Sequence, residues 1–394
     1  MKILSVNSGS SSVKLKLFDM PLGSVVVSAK YERIGLGNCV STIIYKDEKI
    51  VSEVILKDHS DALNMFLKEL IDRNIINSYD EIEGIGHRVV QGADKYNCSV
   101  LVDNKVVEDI ESFNTLAPLH NPANLLGIKV VKGILPDSKN VAVFDTAYHQ
   151  TIPQEQHVYP LPYEWYEKYK IRKYGFHGIS HEYLADKICE IVGNDNLKII
   201  TCHLGNGVSI SAIKDKKSIA NSLGFTPLSG VMMGTRCGDI DPTIIPYIMK
   251  CTDKSLDEVM YDLNNKSGFL GISGISSDSR DIINGIKNNN ERCILAEKMF
   301  VERIVSYISY YYTLLDKADV IAFSAGIGEM TPKIRKDIIE RLKCLDIFID
   351  ESANETVGEV KKISSDNSKV ICYVIPTDEE LMIAKETFQL IERL

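Results

Sequence analysis

The sequence predicts an α/β protein made of two related domains, and three observations carry that prediction. Strand-like and helix-like segments alternate along the 394 residues, the pattern of layered mixed folds. An apolar strand that enters a small-residue turn and leaves as an alternating strand occurs near the start and again about halfway along. A chain of this length can bury two substantial cores, and its 44% hydrophobic and 25% charged content is that of a globular protein.

The first hairpin runs from Ile3-Leu4-Ser5-Val6 through Asn7-Ser8-Gly9-Ser10-Ser11-Ser12-Val13-Lys14. Beyond the turn, Val13, Leu15 and Leu17 alternate with Lys14, Lys16 and Phe18, as a strand requires. The turn gathers backbone N–H groups, hydroxyls and a lysine, which suits it to cradle an anion. It is not a P-loop: G-x-x-x-x-G-K-[ST] is absent and a strand, not a helix, follows. An ordinary surface hairpin is the competing reading. The second hairpin takes Lys198-Ile199-Ile200-Thr201-Cys202-His203-Leu204 into Gly205-Asn206-Gly207 and then Val208-Ser209-Ile210-Ser211-Ala212-Ile213. A third apolar strand, Val320-Ile321-Ala322-Phe323, enters Ser324-Ala325-Gly326-Ile327-Gly328-Glu329. The recurrence suggests a duplication in which each half offers a phosphate loop to a shared cleft.

Three helices are signalled by apolar stripes. In the first, Ser60 is the expected cap, and Leu63, Phe66, Leu67, Leu70 and Ile71 share a face. A second spans residues 291–315 with Cys293, Ala296, Phe300, Ile304 and Tyr307 on one side, and a third spans 379–394 with Leu381, Ala384, Phe388 and Ile391. The domain boundary is expected in residues 149–166, where Pro153, Pro160 and Pro162 disfavour helix and central strand.

A net charge of −9 argues against a general nucleic-acid surface. No run approaches the roughly 20 apolar residues that span a bilayer, and the start lacks signal-peptide features. Nine scattered cysteines without C-x-x-C or zinc-ligand spacing point to reduced thiols in a cytoplasm.

Arg88, in His87-Arg88-Val89-Val90, and Arg236, in Met233-Gly234-Thr235-Arg236, each end an apolar segment. Guanidinium groups there suit bidentate contact with carboxylate or phosphoryl oxygens, with structural ion pairing as the alternative. His120 sits in Leu119-His120-Asn121-Pro122, and His177 and His181 in Gly175-Phe176-His177-Gly178-Ile179-Ser180-His181. The glycines there favour a loop over a helix that would align two metal ligands. Asp145 follows the strand Val141-Ala142-Val143-Phe144, and Glu379 follows Ile375-Pro376-Thr377-Asp378. Such carboxylates can steer Mg²⁺ on substrate phosphates, or serve as helix caps and first-turn acids.

With these motifs in view, the chain resembles the acetate kinases, a family of the actin/sugar-kinase/Hsp70-type superfamily. The resemblance runs from Val6-Asn7-Ser8-Gly9-Ser10-Ser11-Ser12 through Leu116-Ala117-Pro118-Leu119-His120-Asn121-Pro122-Ala123-Asn124, Phe144-Asp145-Thr146-Ala147-Tyr148-His149 and Met233-Gly234-Thr235-Arg236 to Pro376-Thr377-Asp378-Glu379-Glu380. It implies duplicated ribonuclease-H-like domains facing a central cleft. The first would cover residues 1–147, completed by 382–394, and the second 148–381, with the nucleotide site and a dimer interface. The implied reaction is reversible phosphoryl transfer from ATP to acetate, giving acetyl phosphate and ADP, with Mg²⁺ or Mn²⁺, in a homodimer without membrane or nucleic-acid partners.

By the same resemblance Arg88, Asp145, His177 and Arg236 are catalytic. Arg88, Val90, Leu119, His120, Phe176 and Pro227 would bind the acid. Ser10, Ser12, Lys14, His203, Leu204, Gly205, Asn206, Gly207, Asp278, Ser279, Arg280, Gly326, Ile327, Gly328 and Met330 would bind phosphate and nucleotide. Asn7, Asp145 and Glu379 would organise the metal. The chain departs from the family pattern at Gln91, Ala93, Ile179, Asn221, Ser229 and Cys237, and in the adenosine region at Ser279 and Met330, where phenylalanine and asparagine are usual. Propionate as acceptor, GTP or pyrophosphate as donor, and a nucleotide-responsive scaffold on the same fold are the alternatives.

Overall fold

In the computed structural model, which describes residues 1–9, 11–46, 48–118 and 120–394, the chain divides into two units. Met1–Tyr148 with Asp378–Leu394 forms one, and His149–Thr377 the other.

The strands of the first unit are β1 (Lys2–Ser8), β2 (Ser12–Asp19), β3 (Ser24–Glu32), β4 (Cys39–Tyr45), β5 (Glu48–Val54), β6 (Ile82–Val89), β7 (Val100–Leu101) and β8 (Lys139–Phe144). They form an eight-stranded sheet ordered β5-β4-β3-β2-β1-β6-β8-β7. The β1–β2 pair is antiparallel with Asn7 opposite Lys14, whereas β1, β6 and β8 run parallel. Val13, Leu15 and Leu17 join Leu63, Phe66, Leu67 and Leu70 of the helix His59–Asp72 in one core. The cap of that helix is Asp58, not Ser60: its carboxylate accepts from the N–H groups of Ser60 and Asp61, and a carboxylate at this position satisfies two of the orphan donors. Phe18 shares the Lys14 and Lys16 face yet is fully buried, because the C-terminal helix Glu379–Glu392 packs on β1, β2, β6 and β8. That helix buries Ala384, Phe388 and Ile391 as expected, but Leu381 is only half-buried and Glu380, Met382, Ile383 and Thr387 are buried.

The second unit contains β9 (Lys198–Leu204), β10 (Val208–Lys214), β11 (Lys217–Asn221), β12 (Val320–Ser324), β13 (Lys361–Lys362) and β14 (Ile371–Val374). Its six-stranded sheet is ordered β11-β10-β9-β12-β14-β13. Here too the first two strands form an antiparallel hairpin, β9–β10, and β9, β12 and β14 run parallel. The orders β3-β2-β1-β6-β8 and β11-β10-β9-β12-β14 are therefore the same arrangement, so the duplication suggested by two turns is present in topology. After each fifth strand the chain crosses over. The helix Gly178–Val192 follows β8 but belongs to the second unit, and Glu379–Glu392 follows β14 but belongs to the first.

Two local expectations are corrected. Residues 149–166 do contain helix, in Gln154–His157 and at the start of Tyr163–Tyr169. Pro153 and Pro162 immediately precede these segments, where proline removes no intrahelical N–H bond. His181 likewise lies in helix, because the chain turns at Gly175 (φ +72°) and at His177 (φ 56°) before the helix begins at Gly178. The turn that the glycines signal ends one residue before the helix begins.

Gly86 of β6 sits where that strand meets the C-terminal helix, and a Cβ there would collide with the Thr387 hydroxyl and lie 2.6 Å from Ile383 Cγ2. Gly86→Ala should therefore destabilise the first unit by about 1–3 kcal/mol, the usual cost of overpacking. Chemical denaturation followed by circular dichroism checks this, and an unchanged midpoint would mean that the helix is free to back away.

Candidate active site

In the first unit the candidate residues cluster at the carboxyl ends of three adjacent parallel strands: Asn7 on β1, Arg88 on β6 and Asp145 just past β8. This is where open α/β sheets place their ligands. Arg88 Nη2 donates to Asp145 Oδ2 at 2.7 Å, and Arg88 Nη1 donates to Asn7 Oδ1 at 3.4 Å. Asn7 Nδ2 in turn donates to Glu379 Oε2 at 3.2 Å and Glu380 Oε1 at 3.0 Å. Both glutamates open the C-terminal helix, whose N-cap is Asp378. Lys16 lies 2.9 Å from Asp378 and 3.4 Å from Glu380, and Lys14 lies 3.6 Å from Glu380.

The charges in this cluster are unevenly compensated. Burial would lower the Arg88 pKa, but Asp145 and then Glu379 hold it above the ordinary guanidinium value. Burial pushes the Glu379 carboxyl up, Arg88 opposing and Asp145 and Glu380 adding to the rise. Glu380 goes the other way, since Lys14 and Lys16 outweigh its burial. A buried carboxylate that its protein neighbours leave short of positive charge suits a hard divalent cation, which takes oxygen ligands. Among the described residues no cluster of three or more His, Cys, Asp or Glu is arranged to hold a metal unaided.

The remaining first-unit candidates frame this cluster. Ser12 opens β2, and the Gly9 N–H donates to its carbonyl at 2.8 Å. Val90 is buried, its N–H held by Asn124 Oδ1 at 3.1 Å, while Asn124 Nδ2 donates to the Ser8 carbonyl at 2.8 Å. One asparagine thus ties the strand after Arg88 to the serine turn. His120 precedes the helix Asn121–Ile134 as its N-cap. Ser10 and Leu119 lie outside the described residues.

In the second unit the β9–β10 turn, residues 205–207, is the centre. The Gly205 N–H donates to the Gly207 carbonyl at 3.1 Å, and the Gly234 N–H donates to the Asn206 carbonyl at 3.2 Å. A Cβ on Gly207 would lie 3.3 Å from His177 Nε2 and 3.6 Å from Arg236 Nη1, so imidazole and guanidinium border the same spot. Arg236 makes no ion pair among the described residues. Its Nη1 donates to the Pro227 carbonyl at 3.3 Å, and burial alone pushes its pKa below the ordinary value. A half-buried cation without a carboxylate is a site made for an anion. His177 stacks on His203 with ring centroids 4.3 Å apart, and Ser180 Oγ bonds both His203 Nδ1 at 2.8 Å and Thr377 Oγ1 at 2.9 Å. Phe176 is fully buried, and its carbonyl accepts from His149 Nε2 at 3.0 Å.

Beside the turn is a cavity of about 700 Å³ lined by Gly205, Asn206, Ser277, Asp278, Ser279, Arg280, Gly326, Ile327, Met330 and Thr331. Of the predicted nucleotide residues of this unit, His203, Leu204, Gly207 and Gly328 stand outside the lining. Leu204 is fully buried in the core, and a Cβ on Gly328 would touch the Phe323 backbone at 3.3 Å, so both serve packing. Arg280, 85% exposed, is folded back on Asp278 with Nη2 2.6 Å from Oδ2. A larger hollow of about 920 Å³, lined by Glu297, Lys333 and Arg341 among others, carries none of the predicted residues.

The sequence assigns no role to Glu380, Asn124 and Ser209, though each stands in a motif quoted above, nor to Ser277 and Thr331. Glu380 could have been found, being an acid on the otherwise apolar stripe of its helix; the others are ordinary polar residues until the fold aims them.

Comparison with known proteins agrees with this geometry. Residues 2–385 match the Acetokinase family. An acetate kinase of Bacillus subtilis (strain 168) is 48% identical over 391 residues, 99% of both chains. The crystal structure of Porphyromonas gingivalis acetate kinase superposes with a TM-score of 0.92 at 42% identity, covering 99% of each chain. A propionate kinase from Francisella tularensis gives 0.93 at 39% identity, over 98% of this chain and 99% of that one.

The raised Glu379 pKa has a sign that can be tested. Its ionised form costs folding stability at pH values above the raised folded pKa, and the cost disappears below the unfolded carboxyl value of about 4.3. Glu379→Gln should therefore raise the Tm of the metal-free protein at pH 7–8, with the gain shrinking as pH falls toward 4.5. A lower Tm for the variant at neutral pH would mean that the protein already compensates this carboxylate.

Proposed function

The chain belongs to the Acetokinase family, and from that premise we propose that it transfers the terminal phosphoryl group of ATP reversibly to acetate, giving acetyl phosphate and ADP with Mg²⁺. The observation that carries the reading is Arg236, a half-buried guanidinium that has no carboxylate partner among the described residues, beside His177 and the Gly205–Asn206–Gly207 turn.

In this mechanism an acetate oxygen attacks the γ-phosphorus in line. The new P–O bond forms as the bond to the ADP oxygen breaks, and the protein supplies no nucleophile. Catalysis of this type is positioning plus neutralisation of charge on the equatorial oxygens. Arg236 and His177 would meet that charge, and Arg88, steered by Asp145 and Asn7, would hold the acid's carboxylate. Bound Mg²⁺ would neutralise phosphate charge, with Glu379 and Asp145 as the carboxylates that orient it. The cavity beside the turn would take the nucleoside, with Gly326, Ile327 and Met330 as its apolar wall. The family resemblance implies Val90, Leu119, Phe176 and Pro227 as the residues that recognise the methyl group. The nine cysteines are all free, which supports a reducing cytoplasm, and the family resemblance supports a homodimer.

Two observations keep alternatives in the assay. The similar propionate kinase structure makes propionate a second acceptor to test, and one methylene is worth only about 1–3 kcal/mol of discrimination. Ser279 and Met330 replace an aromatic and an amide at the nucleoside cavity, so GTP and pyrophosphate belong beside ATP.

Acyl-hydroxamate formation should be fastest with acetate and ATP, with propionate slower; equal or better turnover of propionate or of another donor would reassign that partner. Arg236→Ala should lose on the order of 10³ or more in kcat, the scale of an arginine acting on a transferring phosphoryl group, with its circular dichroism unchanged. Near-normal turnover in that variant would remove Arg236 from the reacting centre.

A further inference from the structure

Behind His177 runs a buried line of polar side chains that phosphoryl transfer as described does not use. His177 Nδ1 is 2.8 Å from Ser209 Oγ, the same hydroxyl is 2.7 Å from His181 Nε2, and His181 Nδ1 is 2.7 Å from Thr201 Oγ1. Thr201, His181 and Ser209 are 0% exposed.

Counting protons sets the direction of the line. The Thr201 hydroxyl has His181 Nδ1 as its one side-chain hydrogen-bond partner among the described residues. A buried O–H with no acceptor is costlier than an unfilled lone pair, so Thr201 donates. Burial, with His149 and His203 adding to it, holds His181 well below the ordinary imidazole pKa, and a neutral ring carries a single N–H. With Nδ1 accepting, that hydrogen is on Nε2 and points at Ser209. The Ser209 oxygen therefore accepts from His181, and its own hydrogen goes to its other neighbour, His177 Nδ1. The His177 hydrogen is left on Nε2, the ring edge that faces Gly207 beside Arg236.

We infer that Thr201, His181 and Ser209 are positioning residues, a one-way hydrogen-bond chain that fixes His177 as the neutral Nε2–H tautomer and so as a donor toward an anion held by Arg236. The opposite tautomer would aim a lone pair at that anion. Identifying the anion as the transferred phosphoryl group rests on the proposed function; the tautomer does not.

The test is ¹⁵N-histidine NMR of the ligand-free protein at pH 7.5, with His177 assigned among the eight histidines by its loss in His177→Gln. The expected pattern is a pyridine-type Nδ1 and a pyrrole-type Nε2. Ser209→Ala should shift the His177 signals toward a tautomer mixture or imidazolium. It should lower kcat about three- to tenfold, the worth of one hydrogen bond, with KM for acetate and ATP unchanged. His181→Gln, which can still offer an N–H to Ser209, should keep the wild-type His177 pattern. An Nδ1–H or imidazolium His177 in the wild-type protein overturns the inference, as does an unmoved His177 spectrum in Ser209→Ala. If the NMR pattern holds while no acyl phosphate forms, the proposed function fails and the chain stands.

Discussion

The first unit depends on one buried group, the Asn7 side chain. Its oxygen accepts from Arg88, and its amide donates to Glu379 and Glu380, so a single residue joins a strand at the start of the chain to the helix at its end. Burying Arg88, Asp145 and two glutamates together is costly unless each finds a partner. That requirement dictates that the C-terminal helix return to the first unit, and Gly84 and Gly86 leave the room for it to lie against β6. The same return places carboxylates at the ends of β1, β6 and β8, where substrate phosphates and a cation would need them.

The second unit solves the opposite problem. Among the described residues Arg236 is kept half-buried without an ion-pair partner, and His177, which borders the same turn, is tied through the Ser209 hydroxyl to His181. A guanidinium that no carboxylate compensates keeps its attraction for an anion in a setting of low dielectric. The backbone is strained at the same places. His177 at φ 56° and Ala325 at φ 62° adopt the left-handed region without being glycine, one beside the 205–207 turn and the other at the entrance to the helix that walls the cavity. Ala93, at φ 53° in the loop after Arg88, is the counterpart in the first unit. Strain of this kind persists only where surrounding packing over-determines the conformation.

The cavity beside the 205–207 turn is walled partly by adaptable side chains. Met330 is 56% exposed, and Arg280 is occupied by Asp278. A flexible thioether and a hydroxyl give adaptable contact in place of a flat stacking surface. A ligand in this cavity would be recognised more by shape than by fixed hydrogen bonds.

Local sequence determined the hairpins, the apolar stripes, the two arginines, and the carboxylates at the chain's strand ends. Those features follow from periodicity, turn chemistry and the rarity of charge at the end of an apolar run, all of which are readable over a few residues. The helix starts were less legible: Asp58 rather than Ser60 caps the first helix, and a helix begins at Gly178 in a stretch that reads as a loop. Caps depend on one dihedral, which composition does not specify. Only the tertiary structure decided that its neighbours push the Glu380 pKa down and burial pushes the Glu379 pKa up, that Asn124 ties Val90 to the serine turn, and that Ser209 stands between two imidazoles. Each of these is a contact between residues distant in the chain, and a serine, an asparagine or a second glutamate carries no mark of its partner until the sheet has brought the two together.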